Sequence, residues 1–260
     1  MTNDIDDSKM PLLDHLIELR RRLIYSVISF FVCFLISFHF ADPIFNFLVA
    51  PLADMWQGQP SRRLIFTALH EKFFTDVKVA IFTGAFLAFP LISNQIWAFV
   101  APGLYKNEKR AFLPFLIATP ILFLMGAAFV YYLVLPVAWK FFAGFEQAAA
   151  PGALPIELEP KVDQYLSLVM RLIFAFGISF ELPVLLTLLA RAGLATSQGM
   201  REKRRYAIVA AFIAAAVLTP PDPMSQIGLA VPIILLYEIS IWCARLVERG
   251  REKREQEDDI

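Results

Sequence analysis

Charge is scarce in this 260-residue chain. Charged residues make up 18% of it and hydrophobic residues 58%, whereas typical soluble domains hold about 25% charged residues. The 24 basic and 24 acidic residues cancel, which argues against the strongly basic surface of a nucleic-acid-binding domain. With only two cysteines, a disulfide-stabilised secreted domain is equally unsupported. The composition therefore indicates a membrane protein.

The common catalytic and metal-binding patterns are also missing. The three histidines, His15, His39 and His70, lie on three separate stretches without the spacing of zinc ligands. The sequence contains neither GxxxxGKS nor GxxxxGKT, so we do not expect this chain to hydrolyse ATP. We predict no enzymatic activity, no metal and no cofactor.

Long apolar runs dominate the sequence instead. The hydrocarbon core of a bilayer is about 30 Å thick and requires about 20 apolar residues per helix. The runs predict an all-α, polytopic membrane protein with six transmembrane helices, at about residues 23–40, 73–100, 111–135, 164–190, 206–219 and 224–244. The last two are short. Residues 206–219 would rise only about 21 Å as a helix, so this segment either crosses a thinned membrane or forms a re-entrant hairpin with the next one.

Basic residues are unevenly divided between the two ends of these spans. Segments on the side of the termini hold 17 of the 24 Lys and Arg residues, and segments on the other side hold 5. Because Lys and Arg accumulate in cytoplasmic loops, both termini are predicted to be cytoplasmic. Residues 1–22 then form a cytoplasmic amphipathic helix and residues 245–260 a charged cytoplasmic tail. We expect residues 1–260 to form a single integral membrane domain.

Two carboxylates interrupt the basic cytoplasmic segments. Glu18 precedes the run of arginines at residues 20–22, and Glu108 lies between Lys106 and the basic pair at residues 109–110. One interpretation is an interfacial helix and a loop with ordinary solvated charges. The other is a surface that receives a cationic ligand.

Glu181 lies about 14 Å from the nearer end of its predicted span. An ionisable group at that depth costs at least about 2.5 kcal/mol and normally faces a partner or a wet cavity. Arg171 lies in the same span but too far along the helix axis to pair with it, and Asp222 and Gln226 are candidate polar neighbours. Prolines occur within several runs, where they tend to kink helices; this favours a concave bundle. The prolines are Pro90, Pro114, Pro120, Pro183 and Pro232.

Six stretches, in order and over nearly the whole chain, carry a family resemblance. They are HLIELRRRL at 15–23, APL at 50–52, QIWAF at 95–99, APGLYKNEKR at 101–110, AFGISFELP at 175–183 and LTPPDPMSQ at 218–226. Together they resemble TatC, the multi-spanning subunit of the twin-arginine (Sec-independent) protein translocase. Arg171 departs from this pattern, because the family leads us to expect an apolar or small residue there.

The resemblance implies the core receptor subunit of a complex in the bacterial cytoplasmic (inner) membrane, which exports folded proteins using the proton motive force. Its implied partners are twin-arginine signal peptides, TatA- and TatB-type single-span subunits, other TatC copies and the lipid bilayer, with no nucleic acid. Glu18 and Glu108 would receive the signal arginines, Phe99 would flank them and Arg20 would shape the site.

The resemblance also assigns positions within and beyond the membrane. Glu181 and Gln226 would be intramembrane polar contacts for the partner subunits. Pro51 and Asp222 would have a structural or functional role near the far side. Two alternatives stay open: an ion- or proton-coupled secondary transporter that uses Glu181, and a purely structural membrane scaffold. We find no inverted repeat of the kind expected for a transporter.

Overall fold

The computed structural model describes residues 3–57, 62–104, 113–148, 154–219 and 223–258, and these are helical almost throughout. A π-helical turn, Val130–Val134, separates the helices Leu113–Phe129 and Leu135–Ala143. The helices are α1 Asn3–His39, α2 Ala41–Met55, α3 Glu71–Leu104, α4 Leu113–Phe129, α5 Leu135–Ala143, α6 Val162–Ser179, α7 Leu182–Arg191, α8 Ser197–Glu202, α9 Arg204–Leu218 and α10 Pro223–Asp258.

The prediction of an all-α, polytopic membrane protein is confirmed. Within the described residues, five helical segments are long and apolar enough to cross a membrane: Leu13–His39, Glu71–Phe99, Pro114–Ala143, Val162–Arg191 and Ser225–Gly250. The remaining predicted span is the 15-residue helix α9, whose rise of about 22 Å is shorter than the bilayer core. The count of six spans therefore stays a prediction.

From Asn3 onward, the predicted amphipathic helix and the first span are one continuous helix, α1. This helix packs mainly along α3. The two backbones approach closely at Gly84, where an added Cβ would lie 2.8 Å from the Cα of Phe34. Most of the remaining surface of α1 is exposed and apolar, as expected for a helix that faces lipid.

Helix α2 was not predicted, since its residues were assigned to a loop on the non-cytoplasmic side. One face of this helix is buried through Leu48, Pro51 and Leu52. Pro51 has no N–H, so the carbonyl of Phe47 has no donor within the helix. The hydroxyl of Tyr131 donates to this carbonyl at 2.7 Å. Tertiary hydrogen bonding thus allows a helix where the local sequence is unfavourable.

The core lies where α4, the π-helical turn and α5 pack against α6. Gly126 permits this contact, because a Cβ there would lie 2.6 Å from the carbonyl oxygen of Phe176. On α4, the ring of Phe123 stacks on Phe89 of α3 at a centroid distance of 3.7 Å. The side chains with no exposed surface at this centre include Phe123, Val130, Leu135, Leu166, Val169 and Phe176.

The fourth span is broken in the membrane. Helix α6 ends at Ser179 and α7 begins at Leu182. Pro183 lies in the first turn of α7, and because it lacks an N–H it cannot bond the carbonyl four residues earlier. Glu181 is therefore placed at a helix junction. In contrast, α3, α4 and α10 continue through Pro90, Pro120 and Pro232.

A small cap lies between the second and fourth membrane segments of the structure. Arg62 donates two hydrogen bonds to Glu146, both at 2.6 Å, and the N–H of Leu158 also donates to Glu146. These three donors hold the pKa of the Glu146 carboxyl below its usual value, the Arg62 hydrogen bond being the largest cause. Short backbone bridges join Ile65 to Lys161 and residue 147 to residue 156.

Candidate functional site

Glu18 of α1 is half-buried and lies against α3. The Nη2 atom of Arg22 donates to Glu18 Oε1 at 3.2 Å, and Nη1 of the same guanidinium donates to Gln95 Oε1 at 3.1 Å. Glu18 and Arg22 are one helical turn apart, a spacing at which side chains meet. The sequence prediction did not assign a role to Arg22 or Gln95; the four-residue spacing from Glu18 was the available signal for Arg22.

The same end of the α1–α3 pair brings Phe99 next to α1. The rings of Phe99 and His15 stack at a centroid distance of 4.3 Å and an interplanar angle of 20°. Arg20 is exposed on α1. The structure thus places Glu18 and Phe99 at the same end of the α1–α3 contact, and Arg20 on the exposed surface of α1. Glu108 lies outside the described residues.

Glu181 lies at the junction of α6 and α7, where it occupies the N-cap position of α7 without capping it. Both carboxylate oxygens are buried and make no hydrogen bond. The hydroxyl of Thr119 and the backbone of Phe123, both on α4, face this carboxylate but lie outside hydrogen-bonding geometry. The polar partner expected from the depth of Glu181 is therefore adjacent to it but not bonded.

Thr119 is itself hydrogen-bonded to Trp97. Its side chain is 2% exposed, and its Oγ1 accepts a hydrogen bond from the indole Nε1 of Trp97 at 3.2 Å. Trp97 is on α3, two residues from Gln95 and two from Phe99. The sequence contains no spacing rule that would have linked Thr119 to Trp97 or Glu181, because the three residues lie on different helices.

The other predicted polar residues are separate from this group. Gln226 Nε2 donates to the carbonyl of Phe212 at 3.4 Å and so connects α10 to α9; it makes no hydrogen bond to Glu181. Arg171 is exposed on α6, and nothing in the structure explains it. Pro51 is buried in α2. Asp222 lies outside the described residues.

At the opposite end of α10, three contacts connect it to α8 and α9. Arg204 forms an ion pair with Glu238 at 2.5 Å, and the hydroxyl of Tyr237 donates to the Met200 carbonyl at 2.8 Å. The backbone N–H and the hydroxyl of Ser197 both donate to Glu248. Glu238, which lies inside the predicted span 224–244, is thus paired with a cation. In the described part of the chain, no three His, Cys, Asp or Glu side chains group as metal ligands would.

A family model described as "Sec-independent protein translocase protein (TatC)" matches residues 14–232. Among curated proteins named Sec-independent protein translocase protein TatC, that of Magnetococcus marinus is 50% identical over 253 residues, covering 97% of this chain and 90% of that protein. The protein of the same name from Escherichia coli K12 is 39% identical over 252 residues, covering 96% and 94%.

Solved structures agree with these sequence matches. A crystal structure of the twin-arginine translocase receptor TatC superposes with a TM-score of 0.77 at 40% identity, covering 90% of this chain and 99% of that chain. A second crystal structure of the receptor, in DDM, gives a TM-score of 0.78 at 40% identity and covers 88% of this chain and 99% of that one.

Proposed function

The chain belongs to the TatC family, and from that premise we propose that its cytoplasmic face binds the consecutive arginines of twin-arginine signal peptides through Glu18 and Glu108. The protein is a component of the Sec-independent, twin-arginine translocase, and its relatives are named for protein transport rather than for catalysis. This assignment replaces the alternatives of an ion-coupled transporter and a structural scaffold.

The ion pair between Glu18 and Arg22 supports this site. Glu18 already accepts a hydrogen bond from one guanidinium, at 3.2 Å. A guanidinium is a planar fork that matches a carboxylate better than an ammonium does, so an arginine of the signal peptide fits the position that Arg22 occupies. In this proposal Arg22 moves aside and keeps its hydrogen bond to Gln95, while Glu108 receives the second arginine.

Two further residues complete the proposed receptor surface. Phe99 is half-buried, and its ring stacks on His15, three residues before Glu18 on α1; in this proposal it contributes a cation–π contact to the bound guanidinium. Arg20 is exposed on α1 two residues from Glu18, and it repels lysine-rich segments that lack the geometry to bind both carboxylates.

We also propose that both termini lie in the cytoplasm and that the protein spans the bacterial inner membrane as a single domain. The supporting observation is the division of Lys and Arg residues, 17 on the side of the termini and 5 on the other. In this orientation the α1–α3 site faces the cytoplasm, where precursor proteins are made, and folded proteins are exported across the inner membrane by using the proton motive force.

The proposed partners besides the signal peptide are TatA- and TatB-type single-span subunits, other TatC copies and the bilayer. We propose Glu181 and Gln226 as the membrane-embedded polar contacts for the single-span subunits. Both lie where helices meet or break, at the α6–α7 junction and at the α9–α10 contact. Pro51 has a structural role, because it leaves the Phe47 carbonyl to accept the hydrogen bond from the Tyr131 hydroxyl. A role for Asp222 on the far side remains part of the same proposal.

The test is peptide binding to the detergent-solubilised protein. A fluorescent peptide with two consecutive arginines is titrated against the wild type, Glu18→Gln and the control Asp14→Asn, which removes one negative charge from an exposed position of the same helix. A partly exposed carboxylate–guanidinium pair contributes about 1–2 kcal/mol, so Glu18→Gln should bind about tenfold more weakly. Asp14→Asn should bind as the wild type does.

Two further binding measurements use a lysine peptide and an Arg22 variant. A peptide with two lysines should lose about the same affinity as Glu18→Gln causes for the arginine peptide. Arg22→Gln removes the internal competitor and should bind the arginine peptide more tightly. Equal affinity of Glu18→Gln and the wild type would place the arginine-binding site elsewhere.

A further inference from the structure

We propose that Thr119 is a positioning residue for Glu181, and that the indole of Trp97 orients the Thr119 hydroxyl for this task. The inference rests on the proposed role of Glu181 as a membrane-embedded partner contact. It adds two residues that lie on other helices, and it connects the partner contact to the helix that carries Phe99.

The first step is the unmet hydrogen-bonding capacity of Glu181. Its two oxygens are buried and unbonded, although a carboxylate can accept about four hydrogen bonds. The hydrocarbon core of a bilayer supplies no hydrogen-bond donors of its own. The side-chain donor that faces this carboxylate is the hydroxyl of Thr119. A small movement of either side chain would bring the two groups into a hydrogen bond.

The second step is the state of the Thr119 hydroxyl. Serine and threonine in membrane helices usually donate to the carbonyl four residues earlier, as Ser179, Thr219 and Ser240 do here at 2.7, 2.8 and 2.7 Å. Thr119 makes no such bond among the described residues. Its oxygen instead accepts the indole N–H of Trp97. A hydroxyl has a single proton, and that of Thr119 is left for Glu181.

The third step is the position of Trp97 on α3. Gln95, which accepts the hydrogen bond from Arg22, is two residues away and therefore about 200° around the helix. One turn of α3 thus contacts the Glu18–Arg22 pair on one side and Thr119 on the other. A rotation of this turn when a peptide displaces Arg22 would change the orientation of the Thr119 hydroxyl, and with it the hydrogen bond offered to Glu181.

A purely structural role for the Trp97–Thr119 bond, joining α3 to α4, predicts different mutant behaviour. Thr119→Val keeps the shape and removes the hydroxyl, whereas Thr119→Ser keeps the hydroxyl. Trp97→Phe removes the indole donor and leaves Thr119 in place, so the idea can be tested even if Thr119→Val folds poorly. Each variant is combined with Glu181→Gln, which removes the carboxylate.

The measurement is infrared difference spectroscopy of the purified full-length protein in lipid, in the region of side-chain carboxyl and carboxylate bands. We expect Thr119→Val and Trp97→Phe to shift the band that Glu181→Gln abolishes, and Thr119→Ser to restore it. The shift should be absent in the Glu181→Gln background. An unshifted band in both variants, or a shift that persists without the Glu181 carboxylate, would overturn the proposal.

A second readout follows the partner contact itself. Cysteine at the exposed position Leu185, one turn beyond Glu181, is cross-linked to a cysteine in the membrane helix of a TatA- or TatB-type subunit. Thr119→Val removes the donor that this proposal gives to Glu181 when the partner is bound, so it should lower the yield about tenfold, as expected for one hydrogen bond to a charged group, and Thr119→Ser should restore it. An unchanged yield would contradict the proposal.

Binding of the twin-arginine peptide is measured on the same preparations. If the wild-type protein binds the peptide but substituting Thr119 changes neither the carboxylate band nor the cross-linking yield, this inference alone is refuted. Wild-type protein that fails to bind the peptide would instead refute the proposed receptor site, whatever the spectra show.

Discussion

Replacing Tyr131 with phenylalanine should loosen the attachment of α2 to the rest of the protein. The hydroxyl of Tyr131 donates to the Phe47 carbonyl at 2.7 Å, and Pro51 cannot supply this hydrogen bond because it has no N–H. The ring of Tyr131 also stacks on Phe47 at a centroid distance of 4.5 Å, a contact that phenylalanine preserves. The substitution therefore removes the hydrogen bond and little else.

The expected loss is about 1–2 kcal/mol of unfolding free energy. A net hydrogen bond contributes about 0.5–1.5 kcal/mol, and a carbonyl left without a partner adds to that cost. Tyr165 donates in a similar way to the neighbouring Leu48 carbonyl at 3.2 Å, so α2 should stay attached in part.

A double-mutant cycle tests whether the missing N–H of Pro51 is the reason why Tyr131→Phe is costly. Pro51→Ala restores a backbone N–H that can bond the Phe47 carbonyl, so Tyr131→Phe should cost clearly less in that background. Unfolding is followed in mixed micelles by titration with a denaturing detergent. Tyr132→Phe is the matched control, because Tyr132 is the neighbouring tyrosine and is 68% exposed. An equal cost of Tyr131→Phe in both backgrounds would refute the reasoning.

Three other predictions follow from the structure. Because Arg62 lowers the pKa of Glu146 from its usual 4.5, the stability this carboxylate contributes should be present above about pH 4.5 and lost as the pH falls through its lowered pKa. Glu146→Gln should flatten the acid side of a plot of melting temperature against pH; an unchanged acid limb would contradict this. Gly126→Ala should destabilise the α4–α6 contact by about 1–3 kcal/mol, since its Cβ would meet the Phe176 carbonyl. Gly228→Ala is the control, with nothing within 4 Å of the added Cβ, and equal melting temperatures for the two variants would count against the close approach. The tenfold loss of peptide affinity in Glu18→Gln, described above, completes the set.

The membrane-spanning architecture could be predicted because its signals are local. The length of an apolar run decides whether a helix can cross a bilayer, and this length can be counted in the sequence without knowledge of any tertiary contact. The motifs around Glu18, Phe99 and Glu181 indicated the family for a related reason: each is a short contiguous stretch. The same count showed that residues 206–219 form only a short apolar run, and α9 is a short helix.

Contacts between distant residues could not be predicted in this way. Helix α2 contains a proline, and its stability depends on hydroxyl groups of Tyr131 and Tyr165, which lie more than 80 residues away. The sequence offers no means of knowing that those hydroxyls would reach its carbonyls. The local pattern therefore indicated a loop, and the tertiary structure made it a helix.

For the candidate site, too, some features follow from the sequence and others depend on tertiary packing. That Glu181 is a carboxylate at membrane depth, and that Glu18 lies among arginines, follow from the sequence alone. Which groups surround them was decided by how the helices are rotated and packed: Gln95 and Arg22 at Glu18, and Thr119 at Glu181. Helix rotation depends on close approaches such as the one at Gly126, which are properties of two backbones together. Local hydrophobicity therefore determined what crosses the membrane, and only packing decided which polar groups meet inside it.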